Sequence, residues 1–243
     1  MQSRVIVNGA HGKMGTLACE TIRNHPEFQL VASLGRGDDL QKAIVDTQAQ
    51  IVIELTRADC VYKNSLIIIK NNAHPVIGAS GLLPEQVNTL QELCAEKKLG
   101  GIIAPNLSIG AILMMRFAAA AAHFLPEAEI IEAHHQQKLD APSGTALKTA
   151  EMIAAGRREK KNQLPLKELI QGARGATHHD VNIHSIRLPG VLARQQVVFG
   201  NTGETLTITH DSIDRSSFMP GVILSCQRVQ QIDKLYYGLE HLL

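Results

Sequence analysis

At 243 residues, with 44% hydrophobic and 19% charged residues, the chain can bury a core of one large domain or two smaller ones and carries no signature of disorder. Aromatic residues make up 3%, Trp is absent and the formal net charge is +1, which argues against a base-stacking platform or a polyanion binder, so no nucleic-acid partner is expected. Four scattered cysteines (Cys19, Cys60, Cys94, Cys226) without a C-x-x-C pair read as free thiols in a reducing compartment.

The start of the chain has no apolar signal core. The longest apolar run, Phe117 to Ala122, falls far short of the about 20 residues that span a bilayer. A cytoplasmic protein with no membrane partner is the expectation.

In chain order, Val5 to Val7 reads as a strand and Gly12 to Asn24 as a helix stopped near Pro26. Gln29 to Leu34 and Ile51 to Leu55 read as strands, the latter followed by a helix that Asp59 can cap. Pro75 to Ala79, a helix over Pro84 to Lys97, and Gly101 to Ala104 complete the alternation. Continuously apolar strands alternating with helices indicate a parallel, doubly wound α/β sheet.

The pattern changes after that. Ile109 to Phe124 is a long Ala-rich helix, Ala128 to Ala133 a strand, and Ser143 to Ala155 an amphipathic helix. Arg157 to Lys161 reads as a solvated charge run. Asp180 to Asp211 is β-like with a hairpin turn at Asn201-Thr202-Gly203, and Ser216 to Gln231 returns to helix. The expected organisation is a dinucleotide-binding domain over 1–105, completed by 216–243. A central α+β domain over 106–215 is expected to serve substrate binding and oligomerisation.

Two segments carry chemistry. Gly9-Ala-His-Gly12-Lys-Met-Gly15 follows the first strand and opens a helix, a G-x-x-G-x-x-G variant of the dinucleotide fingerprint. Its glycines let the backbone approach a pyrophosphate, which the helix N-terminus attracts. At the end of the second strand stands Gly35-Arg36, where an NAD-binding domain usually has an acid. Without that acid a 2′-phosphate is not repelled and a guanidinium can pair with it, so NADPH is predicted over NADH.

The second segment runs from Glu132 to Thr145, Glu-Ala-His-His-Gln-Gln-Lys-Leu-Asp-Ala-Pro-Ser-Gly-Thr. Neighbouring side chains of a strand point to opposite faces, so His134 and His135 share a site only if the strand ends there. Imidazole titrates near neutral pH and suits proton donation. Lys138 can hold a carboxylate or deliver a proton, and the N–H groups of Gly144 and Thr145 at a helix start can bind a carboxylate. A small dicarboxylate whose unsaturated carbon or nitrogen must be protonated fits this set. As metal ligands, His134, His135, His178, His179 and His184 lack a carboxylate or Cys at recognisable spacing, and no metal is expected.

The run Glu132-Ala-His-His-x-x-Lys-x-Asp-Ala-Pro-Ser-Gly-Thr-Ala146 resembles the signature of the 4-hydroxy-tetrahydrodipicolinate (dihydrodipicolinate) reductase family, and Val7-Asn-Gly-Ala-His-Gly-Lys-Met-Gly15 is similar to that family's cofactor loop. Glu54-Leu-Thr56, Gly78-Ala-Ser-Gly81, Ala104-Pro-Asn-Leu-Ser108 and Ile208-Thr-His210 with Arg215 follow in family order, so the resemblance covers essentially the whole chain. It implies NADH- or NADPH-dependent reduction of the product of dihydrodipicolinate synthase to tetrahydrodipicolinate, in diaminopimelate and lysine biosynthesis. It implies His134 as proton donor or acceptor, Lys138 as second donor, His135 as a substrate contact, and Gly144 and Thr145 as carboxylate binders. Gly9, Ala10, His11, Gly12, Lys13, Met14, Arg36, Gly78, Ala79, Ser80, Ala104, Pro105, Asn106 and Leu107 would line the cofactor. A Rossmann-like domain, a central substrate domain and a homotetramer are implied with them.

The chain departs from the family at Lys13 (usually Arg), at Gly35, at Ala79-Ser80, and over Pro189 to Gln195. The competing readings are another Rossmann oxidoreductase and an NADP-sensing module. A sensor has no need of His134, His135 and Lys138, and a generic dehydrogenase does not combine them with Asp-Ala-Pro-Ser-Gly-Thr.

Overall fold

In the computed structural model, which describes residues 2–158 and 167–243, the chain divides into two compact units, Met1–Ile109 with Arg215–Leu243, and Gly110–Asp214.

The first unit alternates strand and helix from the start: β1 (Ser3–Asn8), α1 (Lys13–Arg23), β2 (Phe28–Leu34), α2 (Leu40–Thr47), β3 (Ile51–Glu54), α3 (Val61–Lys70), β4 (His74–Ile77), α4 (Pro84–Glu96) and β5 (Gly101–Ile103). Val5–Asn8 and Ile51–Glu54 are buried at every position, as strands covered by helices on both faces must be. In α1 the buried residues Gly15, Ala18, Cys19 and Ile22 recur at helical spacing and turn one stripe inward.

The second unit begins with α5 (Ile109–Ala122) and β6 (Glu127–His134). It continues through α6 (Gly144–Gly156), β7 (Ala176–His178), β8 (Val181–Arg187), β9 (Ala193–Asn201) and β10 (Glu204–Ser212). The chain then returns to the first unit with α7 (Met219–Arg228) and β11 (Leu235–Tyr237). The first sheet has six strands in the order β11-β5-β4-β3-β1-β2, with every pairing parallel. The order reverses at β1, which pairs β2 on one side and β3 on the other, and this switch opens a crevice at the carboxyl ends.

The second sheet runs β10-β9-β6-β8-β7 and is mixed: β6 pairs β8 parallel and β9 antiparallel. Its core joins Ala118 and Ala122 of α5 to Ala146, Ala150 and Ile153 of α6 over Ile130, Val181, Ile183, Val197 and Phe199. One face of this sheet is therefore sealed by the two helices. The alternate positions Glu129, Ile131, Asn182, His184, Gln196 and Val198 remain only partly buried.

Several elements differ from the sequence reading. Helix α2 was not anticipated; Asp39 caps it by accepting from the Lys42 N–H at 2.9 Å. Asp59 does not cap α3: its carboxylate takes the Arg57 guanidinium at 2.7 Å, and Cys60 holds the cap position without a side-chain capping bond. The expected helix over 216–231 is divided into a 3-10 turn at Arg215–Phe218, α7, and a second 3-10 turn at Val229–Gln231. Strands β7 and β11 were not anticipated.

In the charge run, Arg157 is half-buried and donates to the Asp180 carbonyl at 3.3 Å, so it is not the freely solvated residue expected; residues 159–161 lie outside the described residues. All four cysteines are free thiols, three of them buried. No helix among the described residues is long and apolar enough to cross a membrane.

Candidate active site

In the first unit every cofactor candidate lies beyond the carboxyl end of a strand. Gly9 to Met14 follow β1, Arg36 follows β2, Gly78 to Ser80 follow β4, and Ala104 to Leu107 follow β5. Gly9 has φ +86°, and a Cβ there would stand 2.6 Å from the Leu55 carbonyl oxygen at the end of β3. Its N–H and that of Ala10 both donate to the Leu34 carbonyl at 2.9 Å, which ties the loop to the end of β2. Gly15 lies against the same loop: an added Cβ would sit on the Gly9 carbonyl and 2.8 Å from the Ala10 Cα.

The first turn of α1 contains no acidic residue, and Gly12 supplies no side-chain cap. The loop is therefore a glycine cradle at the positive end of a helix, which suits a phosphate-bearing ligand. Beneath it, Glu54 is wholly buried and accepts from Asn8 Nδ2 at 2.6 Å, the Thr56 N–H at 2.9 Å and the Thr56 hydroxyl. Burial pushes its carboxyl above the usual range despite those bonds.

At the end of β2 the exposed His11 side chain lies over Gly35. A Cβ there would lie 2.8 Å from Nε2 of His11, whose ring covers the position. A carboxylate nonetheless comes close: Asp38 accepts from the Gly35 N–H at 2.7 Å, a placement the sequence reading missed because it looked only at the strand terminus. Arg36 is exposed beside it.

In the second unit, β6 is the central strand and ends at His134, the condition set for a shared histidine site; His135 follows, half-buried, outside the strand. Glu132 and His134 are two apart on one strand and so share a face. His134 Nδ1 lies 2.5 Å from Glu132 Oε2. Register places Arg187 of β8 opposite His134. From there it forks onto Glu132, with Nη2 donating to Oε1 at 2.9 Å and Nη1 to Oε2 at 3.0 Å.

The Arg187 Nη2 also donates to the Asp140 carbonyl at 2.6 Å, and the Asp140 carboxylate receives Lys138 Nζ at 2.8 and 2.9 Å. His134, Glu132, Arg187, Asp140 and Lys138 thus form one continuous polar chain. Burial pushes the Glu132 carboxyl up, but the hydrogen bonds from His134 and Arg187 outweigh it and hold the group down at about 2. The salt link to Lys138 lowers the carboxyl of Asp140 as well.

Helix α6 starts at the same place. The Ser143 side chain accepts from the Ala146 N–H at 3.2 Å, while its own N–H donates to Glu132 Oε1 at 3.3 Å. Gly144 and Thr145 occupy the first turn, with no atom within 4 Å of where a Gly144 Cβ would stand. The atypical segment after Arg187 turns at Gly190 (φ +82°) and ends with Gln195, buried in β9 and donating to Thr149 Oγ1 at 2.7 Å.

The sequence shows no carboxylate at recognisable ligand spacing from the remaining histidines, but the fold brings one to two of them. Glu151, His178 and His179 bring their ligand atoms within 4.8 Å of one another, although Lys148 Nζ already pairs with Glu151 at 3.3 Å. His184 instead pairs with Glu129 at 2.8 Å.

The chain matches the family models of dihydrodipicolinate reductase, the N-terminal one over residues 3–107 and the C-terminal one over 110–243. It is 67% identical over 243 residues to the 4-hydroxy-tetrahydrodipicolinate reductase of Legionella pneumophila (strain Paris), covering 100% of both chains. It is 51% identical over the same length to that of Coxiella burnetii (strain RSA 493 / Nine Mile phase I), again over 100% of both. The solved structure of dipicolinate-bound dihydrodipicolinate reductase from Paenisporosarcina sp. TG-14 superposes with a TM-score of 0.91 at 42% identity, over 100% of each chain. GenD2 from gentamicin A biosynthesis, solved with NAD, shares the fold alone, at 12% identity and a TM-score of 0.68. By matched models over nearly its whole length and by full-length identity, the chain belongs to the dihydrodipicolinate reductase family.

Proposed function

We propose that the chain reduces 4-hydroxy-tetrahydrodipicolinate to tetrahydrodipicolinate, a step of diaminopimelate and lysine biosynthesis, with a nicotinamide cofactor. The observation that carries this reading is the polar chain from His134 through Glu132, Arg187 and Asp140 to Lys138 at the start of α6, in a member of this family.

The glycine cradle of Gly9, Gly12 and Gly15 fits a dinucleotide pyrophosphate, because added Cβ atoms at Gly9 and Gly15 would fill it and no acid of α1 opposes the charge. We assign Gly9 to Met14, Arg36, Gly78 to Ser80 and Ala104 to Leu107 to holding the cofactor. Product and substrate share the ring imine and differ only in a hydrogen in place of the 4-hydroxyl, so that hydroxyl must leave as water. The reduced nicotinamide, when bound, would supply hydride to the carbon that bore it. His134 then delivers a proton from Nε2, the ring atom not engaged with Glu132. Lys138 exchanges Asp140 for a substrate carboxylate or supplies the second proton. The N–H groups of Gly144 and Thr145 take the other carboxylate, with His135 as a further contact. The first unit is thus the dinucleotide-binding domain and the second the substrate domain.

NADPH is the preferred donor in this reading. Arg36 is exposed at the end of β2, and Asp38 and Asp39 are occupied by backbone N–H groups of Gly35 and Lys42. Oxidation of NADPH and of NADH, each coupled to dihydrodipicolinate synthase, tests both points. His134→Gln and Lys138→Ala should each lower turnover on the order of 100-fold with NADPH affinity retained. Full turnover in either variant refutes its assignment, and NADH used as well as NADPH refutes the preference.

A further inference from the structure

Two members of the polar chain, Glu132 and Arg187, touch no ligand in this scheme, yet they hold its most constrained contacts. The Glu132 carboxylate is 0% exposed and the Arg187 side chain 19%. The fork between them already neutralises the buried charge. The carboxylate nevertheless also takes Nδ1 of His134.

We propose that Glu132 and Arg187 are paired positioning residues for His134: the carboxylate keeps one ring proton on Nδ1, so that Nε2 is the atom that exchanges protons, and the guanidinium cancels the carboxylate charge so that the ring can still release its proton. The inference rests on the reading of His134 as proton donor.

An ionised carboxylate only accepts hydrogen bonds, so the ring atom facing Glu132 must be N–H in both charge states of the imidazole. Glu132 remains ionised over the whole working range, because its bonds from His134 and Arg187 outweigh burial. Neutral His134 then carries its lone pair on Nε2, and the second proton can only be there. On donation the Nε2–H bond breaks, the proton joins the substrate atom made electron-rich by hydride arrival, and the electron pair stays on Nε2. The neutral ring keeps its orientation, and solvent returns a proton to the same atom.

The charged groups around the ring are balanced. Glu132 faces it from its own strand and Arg187 from β8. In the loop that follows, Lys138 and Asp140 pair with each other at 2.8 Å, and His135 is the chain neighbour. Removing one member of the Glu132–Arg187 pair tips this balance in a foreseeable direction. Glu132→Gln leaves the guanidinium uncompensated, which disfavours the imidazolium, and its amide N–H can donate to a bare Nδ1, admitting the wrong tautomer. Arg187→Gln leaves the carboxylate uncompensated, which favours the imidazolium.

The two variants should therefore move the ring in opposite senses. The midpoint of His134 in long-range 1H–15N NMR, and the alkaline limb of the pH profile of kcat/KM, should fall by about one unit in Glu132→Gln and rise by about one unit in Arg187→Gln. Turnover of Glu132→Gln should drop on the order of 100-fold with KM little changed, and Glu132→Asp should recover part of it. Midpoints that stay put, or that move the same way in both folded variants, overturn the proposal and leave a merely structural pair. If Glu132→Gln does not fold, Glu132→Gln combined with Arg187→Met removes both charges. That double variant should show a parent-like midpoint with mixed tautomers, and a single Nδ1–H tautomer there also overturns the proposal. His134→Gln separates the two levels: full turnover refutes the proton-donor reading, whereas lost turnover beside unmoved pH limbs refutes only the positioning role.

Discussion

Two buried glutamates, Glu54 and Glu132, respond to their surroundings in opposite ways. Burial raises the Glu54 carboxyl, and its bonds from Thr56 and Asn8 do not compensate. For Glu132, bonds from His134 and Arg187 more than compensate, leaving a value of about 2 against an ordinary 4.5. A depressed acid contributes stability that is fully present above the unfolded value and is lost as pH falls through the folded one. Glu132 should therefore contribute up to about 3 kcal/mol at neutral pH, lost between about 4.5 and about 2. A raised acid has the reverse sign, so the Glu54 contribution is present at low pH and lost as pH rises. Denaturant melts across pH should accordingly show Glu132→Gln flattening the acid limb and Glu54→Gln gaining relative stability at neutral pH; parallel curves for parent and variants would contradict this. At this scale the sequence displayed residue types but not partners. His134 and Lys138 stand out by chemistry, whereas Arg187 is 55 positions from Glu132 and only strand register brings them together. The spacing of Glu132 and His134 was a usable signal, since every second residue of a strand shares a face.

Elements with strong local rules were legible. The glycine loop and α1 follow from three glycines between a buried strand and a helical stripe, and Ser143 is the cap that the Pro-Ser-Gly-Thr run suggests. Helix α2 was missed although Asp39 and Lys42 stand at capping distance, because eight residues give periodicity little room. Strand β11 is three residues long and exists because the β5 edge offers it a partner, which no local pattern reports. Asp59 failed as a cap because a neighbouring guanidinium took its carboxylate first. Gly15 makes one of the tight backbone contacts between elements, with the first loop. Gly15→Ala should cost on the order of 2 kcal/mol in thermal or denaturant melts, since a backbone carbonyl cannot step aside. Gly12→Ala meets only the Gly9 oxygen at 3.4 Å, an ordinary contact, and should cost far less. Equal losses would show that the loop adapts freely.

For the molecule as a whole, the change from parallel alternation to β-rich sequence was visible, and so was the family. Residues 216–243 were expected to complete the first unit, whereas the strand β11 within them was not. The second sheet buries one face under α5 and α6 and leaves Glu129, Ile131, Asn182, His184, Gln196 and Val198 partly open on the other. We propose that this face joins copies of the chain into a homotetramer, and sedimentation velocity at micromolar concentration should give the mass of four chains. A monomer there would refute it.

The placement of β11 beside β5 has one more consequence, which belongs to synthesis. The sheet of the first unit is begun by β1 but is closed by residues 235–237, which follow the whole of the second unit in the chain. Throughout translation the β5 edge waits unpaired, while Gly110–Asp214 forms an uninterrupted stretch that emerges whole. The domain made first is therefore finished last, and a chain stalled or clipped before Leu235 presents an open parallel edge to its neighbours.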